Sequence, residues 1–192
     1  MSRIGDLIRE LCPNGVEFRL LADVARLRRG TSITRGNTSP GTVPVIAGGR
    51  SPAYFNKEGN RSGGVVVVAG SGAYAGFVSY WREEVFVSDA FSIEPNSDQI
   101  EAKFIFYLMK SAQSELHAMK SGGGVPHVYP RDLAGRRIPV PPIEVQREIV
   151  RILDTFSKLE AELEARRKQY TFYRDQLLTF TERERDGSDG RK

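Results

Sequence analysis

From Glu144 to Phe180 the chain contains neither glycine nor proline. Across these 37 residues Val145, Ile149, Ile152, Phe156, Leu159, Leu163, Arg166, Tyr170, Tyr173, Leu177 and Phe180 follow alternating steps of four and three. That pattern specifies one long α-helix with a narrow heptad seam, interrupted only by Arg166. At about 1.5 Å per residue the helix is about 55 Å long, more than a small domain needs for its own packing. Most of it is therefore expected to project and to bury its seam on another helix as a coiled coil. The competing arrangement folds the rod back onto its own head. The stretch Glu144 to Asp186 carries ten acids and nine bases, so the rod is not a basic DNA-binding element. Pro139, Pro141 and Pro142 stand where a helix start is expected.

The residues before the rod have a different grammar. Short apolar runs, Val43 to Ile46, Val65 to Ala69, Phe77 to Trp81, Val85 to Val87 and Phe91 to Ile93, are separated by glycine, proline and polar turns and read as strands. Leu20 to Leu27 and Glu101 to Met119 carry helical spacing, the second with Phe104, Leu108, Ala112, Leu116 and Met119 on one face. The expected fold is α+β: a mixed-sheet domain with short helices over residues 1–142, a long coiled-coil helix over 143–181, and a frayed tail over 182–192.

Charge and chemistry narrow the function. The chain has 192 residues and a formal charge of +4, and residues 1–142 hold 17 bases and 13 acids, so the whole surplus lies in the head. That balance permits an anionic partner without establishing one. The lone Cys12 cannot form an internal disulfide, and neither it nor His117 and His127 stands in a zinc-ligand pattern, so no metal or cofactor is expected. A reducing cytoplasm suits such a chain. No apolar run reaches the roughly 18 residues of a membrane span.

Catalytic motifs fail on context. Gly70-Ser71-Gly72-Ala73-Tyr74-Ala75-Gly76 follows a strand as a dinucleotide loop would, yet Phe77 to Trp81 continues as a second strand, which makes the segment a turn or hairpin. There is no lysine-bearing phosphate loop and no nucleophile elbow. Pro141-Pro142 is not preceded by the Asp or Asn of amino-methyltransferase motifs.

What remains is a set of polar loops with basic and aromatic side chains. Arg28, Arg29, Thr31, Ser32, Thr34, Arg35 and Asn37 form the first. Arg50, Tyr54, Lys57, Asn60 and Arg61 form the second, and Lys120, Ser121, Gly122 to Gly124, His127 and Tyr129 the third. Such residues satisfy phosphates and read base edges. The candidate DNA contacts are Arg28, Arg35, Tyr54, Lys57, Arg61, Ser71, Tyr74, Lys120, His127 and Tyr129.

Taken in order, these pieces resemble the specificity subunits of type I restriction-modification systems. The resemblance rests on Ile4 to Phe18 with Leu20 to Arg28 and Gly30, on Pro44 to Gly49, on Gly70-Ser71-Gly72 through Val87 to Phe91, on Gly122 to Val128 with Leu133, and on Ile138 to Ile149. The double proline leading into a heptad helix is its most specific part; Val145 departs from a usual Glu. A full subunit has two recognition domains and two long helices, and this chain resembles half of one. The resemblance implies a non-catalytic DNA-recognition domain that works with a methyltransferase subunit and a restriction or translocase subunit. It also implies self-dimerisation through an antiparallel coiled coil, with Ile149, Ile152, Phe156, Leu159, Leu163, Tyr170, Tyr173 and Leu177 at the interface. The rival reading is a coiled-coil assembly or adaptor protein with a protein-binding head.

Overall fold

A computed structural model of the chain describes residues 3–120 and 124–180. Ser121, Gly122 and Gly123 of the third loop and the expected tail lie outside the described residues. In chain order the elements are α1 (Arg3–Leu11), β1 (Phe18–Leu20), α2 (Leu21–Val24), β2 (Ala25–Arg29), β3 (Val43–Ile46), β4 (Tyr54–Asn56), β5 (Val65–Ala69), β6 (Val78–Trp81), β7 (Phe86–Val87), β8 (Ala90–Pro95), α3 (Ala102–Ser111), α4 (Gln113–Ala118), α5 (Pro130–Ala134), β9 (Arg137–Pro139) and α6 (Ile143–Leu178). The fold is α+β, as its sequence pattern implies.

β5 is buried at every position, which is why its sequence is unbroken Val-Val-Val-Val-Ala rather than alternating. It lies inside an antiparallel sheet of order β2-β8-β5-β6, with Val66 opposite Ile93 and Val67 opposite Ser79. One face of this sheet, through Val66, Val68, Phe91 and Ile93, packs with Phe104, Ile105 and Met109 of α3 and Leu116 of α4 to form the main core. The other face, Val65 and Val67, meets Ile46 and Val87 from a mixed sheet of order β4-β3-β7, together with Val85 just before β7. A third pairing, β1 with β9, brings the start and the end of the head together.

Two helical expectations are revised by packing. Leu20 to Leu27 forms a single turn, α2, and then turns into β2, because five consecutive residues from Ala25 pair with β8. The tertiary ladder there overrides the local spacing. Glu101 to Met119 is split at Ala112 into α3 and α4. Gln113, just after the break, donates to the Gly76 carbonyl at 2.6 Å and accepts from the Val78 amide at 3.0 Å, fastening α4 to the β5–β6 hairpin. Gly76 itself has φ +81°, and a Cβ there would stand 2.8 Å from the Leu116 carbonyl oxygen. The glycine-rich segment is the hairpin its sequence context indicates.

The chain divides into two units, Met1–Arg151 and Ile152–Lys192. The first turns of α6 thus belong to the head: Val145, Gln146 and Glu148 are buried. The amide of Gln146 explains the attachment, donating to the carbonyls of Gln99 at 2.7 Å and Pro141 at 2.8 Å and accepting from the Glu101 amide at 3.0 Å. In the second unit, Phe156, Leu159, Leu163, Tyr170, Tyr173 and Leu177 each leave half or more of their surface exposed. Among the described residues no helix is long and apolar enough to cross a membrane.

Candidate nucleic-acid interface

The third loop leads into α5 through His127-Val128-Tyr129-Pro130-Arg131. Pro130 opens the helix with its fixed φ, and the Asp132 carboxylate accepts the Tyr129 amide at 2.8 Å, so Tyr129 is held at a helix start. The Tyr129 and His127 rings stack with centroids 5.7 Å apart and planes 8° from parallel. Two guanidiniums lie over the tyrosine ring, Arg131 at 4.7 Å and Arg29 at 5.7 Å from its centroid. Arg29 comes from the end of β2, so the first and third loops meet here.

Beside this cluster lies a cavity of about 470 Å³ whose lining includes Arg29, Ser32, Ser88, Asp89, His127 and Tyr129. Ser71 bridges to His127 across the backbone and gives its hydroxyl to Asp89. A lining that combines a guanidinium, two aromatic rings and a carboxylate suits phosphates, ring faces and an amino donor of a base edge such as cytosine N4.

A second basic and aromatic cluster stands at the hairpin tip. The Arg50 guanidinium lies 4.7 Å from the Tyr74 ring centroid and 5.7 Å from that of Phe77, with the Lys110 ammonium 5.0 Å from Phe77. Each such contact is worth about 0.5–1 kcal/mol at exposed sites, enough to hold a long side chain in one direction. Lys120 donates to the Ala73 carbonyl at 2.7 Å in the same hairpin.

Arg61 requires a correction. Its loop predicts a DNA contact, but the side chain is 7% exposed. Its Nε donates to Ser92 at 2.8 Å and meets Glu94 at 3.0 Å, and its two terminal nitrogens donate to the carbonyls of Asn60 and Arg29. Burial, together with the nearby Arg28 charge, pulls the guanidinium below its ordinary value, while Glu94 works in the opposite direction. Arg61 is a framework residue joining the loop before β5 to β2 and β8. Glu94 also pairs with Arg28 at 3.2 Å.

Among the other candidates, Tyr54 gives its hydroxyl to the Ile33 carbonyl, tying the second loop to the first. Ser71 is buried, its hydroxyl held by Asp89. Arg35 and Lys57 are exposed on the first and second loops. Ile149, read as a seam residue, is half-buried against the head's own core, and Ile152 is also half-buried. Sequence reasoning missed Arg131 and Lys110. The alternation of His127, Tyr129 and Arg131 was a usable signal for the first; nothing local marks Lys110, which reaches the hairpin only through the packing of α3.

The family description that matches, over residues 13–170, is the type I restriction modification DNA specificity domain. The chain belongs to this family. Among curated relatives, the specificity subunit of the MpnII type I restriction enzyme of Mycoplasma pneumoniae is 28% identical, covering 94% of this chain and 59% of its own. The EcoR124I/EcoR124II specificity subunit of Escherichia coli is 38% identical over 93 residues, 43% of this chain and 23% of its own. The crystal structure of the type I restriction-modification S subunit from M. genitalium superposes with a TM-score of 0.67 at 20% identity, covering 81% of this chain and 44% of the other, which shows a shared fold. The matched segments thus cover between 23% and 59% of the length of those three proteins, and this chain spans only part of each. Among its described residues no group of three or more His, Cys, Asp or Glu side chains could hold a metal ion.

Proposed function

We propose that this chain is a DNA target-recognition half-subunit: its head reads one half of a bipartite duplex site, and its rod pairs with a second copy to set the distance to the other half. It performs no chemistry itself and presents the site to methyltransferase and restriction subunits in the cytoplasm. Membership of the specificity-domain family supports the DNA partner, as do the cavity lined by Arg29, His127 and Tyr129 and the Arg131 guanidinium over the Tyr129 ring.

The observation that carries the paired form is that the exposed seam is complementary to itself. A two-fold axis between Glu164 and Ala165 places Ile152 opposite Leu177, Phe156 opposite Tyr173, Leu159 opposite Tyr170 and Leu163 opposite Arg166. These are the mixed heptad layers of two antiparallel helices, with no unmatched position between the ends. In that register the two Arg151 residues, where the head units end, stand about 40 Å apart along the coil at roughly 1.5 Å per residue. An inverted pair of half-sites separated by a fixed gap is therefore expected.

The test is selection of bound sequences from a randomised duplex library in the presence of a methyltransferase subunit, followed by a salt titration on the selected duplex. An inverted, spaced pair and an affinity that falls steeply with salt are expected. A single half-site bound as tightly as the spaced pair would overturn the paired reading. No binding to any duplex would overturn DNA recognition and favour the adaptor reading.

A further inference from the structure

Among the described residues that line the cavity beside Tyr129, Asp89 is the single acid. It is exposed, its side chain accepts the Ser71 hydroxyl, and among the described residues no lysine or arginine pairs with it. On a surface that meets a polyanion, such a carboxylate is repelled by every phosphate within a Debye length. A place facing the sugar-phosphate chain is therefore the least favourable one for it. Base edges offer the opposite, because they carry amino donors as well as acceptors.

The carboxylate is also aimed. Asp89 stands in the turn between β7 and β8, and that turn is braced on both flanks. The Gly70 amide donates to the Asp89 carbonyl at 3.1 Å, the Ser88 amide to the Ile46 carbonyl at 2.8 Å, and the Gly30 amide to the Ala90 carbonyl at 2.9 Å. A Cβ on Gly30 would stand 2.1 Å from the Ser88 carbonyl oxygen, so the first loop closes directly on this turn. Within the carboxylate, Ser71 engages Oδ2 and leaves Oδ1 for a donor from outside. A group fixed at strand ends, with one oxygen already committed, has the preorganisation that discrimination requires.

We infer that Asp89 is a specificity-determining residue that reads one cytosine of the target through its N4 amino group. An ionised carboxylate only accepts hydrogen bonds. Guanine would meet it with the acceptors O6 and N7, thymine with O4, and adenine with N7 beside its N6 amino group, so cytosine is the base it favours. The inference rests on the head being the part that recognises duplex DNA. It requires neither pairing of the rods nor any placement of one unit against the other.

The test is selection from a randomised duplex library, with a methyltransferase subunit present, run on the full chain as wild type, Asp89→Asn and Asp89→Ala, with a melting temperature for each. The wild type should demand cytosine at one position by about tenfold over the other bases. Asp89→Asn should shift that position toward adenine, whose N6 and N7 match an amide, and Asp89→Ala should leave it unspecified, with the other positions unchanged. Both variants, relieved of phosphate repulsion, should bind random duplex about two- to fivefold more tightly at an unaltered melting temperature. Identical selected sequences for all three proteins overturn the reading role of Asp89 and leave DNA recognition standing. Relaxation at an A·T pair overturns the cytosine assignment. A lowered melting temperature in both variants, with affinity lost evenly at all positions, makes Asp89 a framework residue and overturns the inference. A wild type that selects no duplex overturns DNA recognition and this inference together.

Discussion

Replacing Leu159 and Leu163 together by alanine tests the seam at its centre. The two leucines leave 55% and 52% of their surfaces exposed. Fully burying a leucine is worth about 1.5–3 kcal/mol, so closing the exposed half against a second helix recovers about 1 kcal/mol for each. Two leucines on each of two copies then contribute about 4 kcal/mol, of which alanine keeps a small share, leaving a loss of about 3–4 kcal/mol. At about 1.4 kcal/mol per decade, the dimer Kd should rise by two to three decades. Alanine is the best helix former, so the rod itself persists. Sedimentation equilibrium of the wild type and the double variant across the micromolar range reads this directly. Phe172→Ala is the control: its side chain is 61% exposed on the same helix but off the seam, and its Kd should not move. An unchanged Kd in the double variant, or an equal loss in Phe172→Ala, refutes the argument that the heptad seam is the surface of association.

Three further outcomes follow from the head. Arg61→Ala should lower stability by about 3–5 kcal/mol in chemical denaturation, because it strips a buried cation from Glu94, Ser92 and two carbonyls; a loss of DNA affinity without a loss of stability would return Arg61 to the interface. Arg29→Ala and Arg131→Ala should each reduce the slope of log affinity against log salt by about one phosphate contact while the melting temperature stays level, and an unaltered slope removes that side chain from the backbone contacts. The Glu148 carboxyl is held below its ordinary 4.5 chiefly by the hydrogen bond from Arg151, with burial opposing and the charges of Arg151 and Arg3 assisting. A depressed folded value contributes stability above the unfolded value and loses it as pH falls through the folded one. Glu148→Gln should therefore be less stable than the wild type at neutral pH, and the gap should close at acid pH; a gap that widens on acidification reverses the sign and refutes the assignment.

The parts of the fold that were legible in sequence are those where one local rule acts without competition. The absence of glycine and proline after Pro142 and the heptad steps made α6 readable, and the continuous Val65–Ala69 run made its strand readable. Leu20 to Leu27 misled because its apolar spacing fits a helix, while the deciding force is the non-local ladder from β2 to β8. The site was less legible than the fold. That His127 and Tyr129 share a cluster with Arg29 and Arg131, and Tyr74 one with Arg50, is a matter of packing; only the presence of aromatic residues beside cations in these loops is a compositional signal. Arg61 has the same composition but the opposite fate, since Ser92 and Glu94, which bury it, lie 31 and 33 residues later in the chain. No reading of that loop alone distinguishes a surface arginine from one that closes a sheet edge.

Arg166 is the one seam position that costs stability, and it is also the one that selects an orientation. In a parallel, in-register pair Arg166 would face Arg166, and two guanidiniums would have to share one layer of the core. In the antiparallel register it faces Leu163, where its aliphatic stem can cover the leucine while the charged end reaches water at the flank. The same register sets Glu160 of one copy beside Arg167 of the other, an opposite-charge flank repeated by symmetry. Orientation matters more to function than the strength of the coil. Because the first turns of α6 belong to the head, parallel pairing would bring the two Arg151 residues to one end of the coil, and antiparallel pairing would bring them to opposite ends. In the proposed pair, a single polar residue in an apolar seam would therefore favour the antiparallel form over the parallel one.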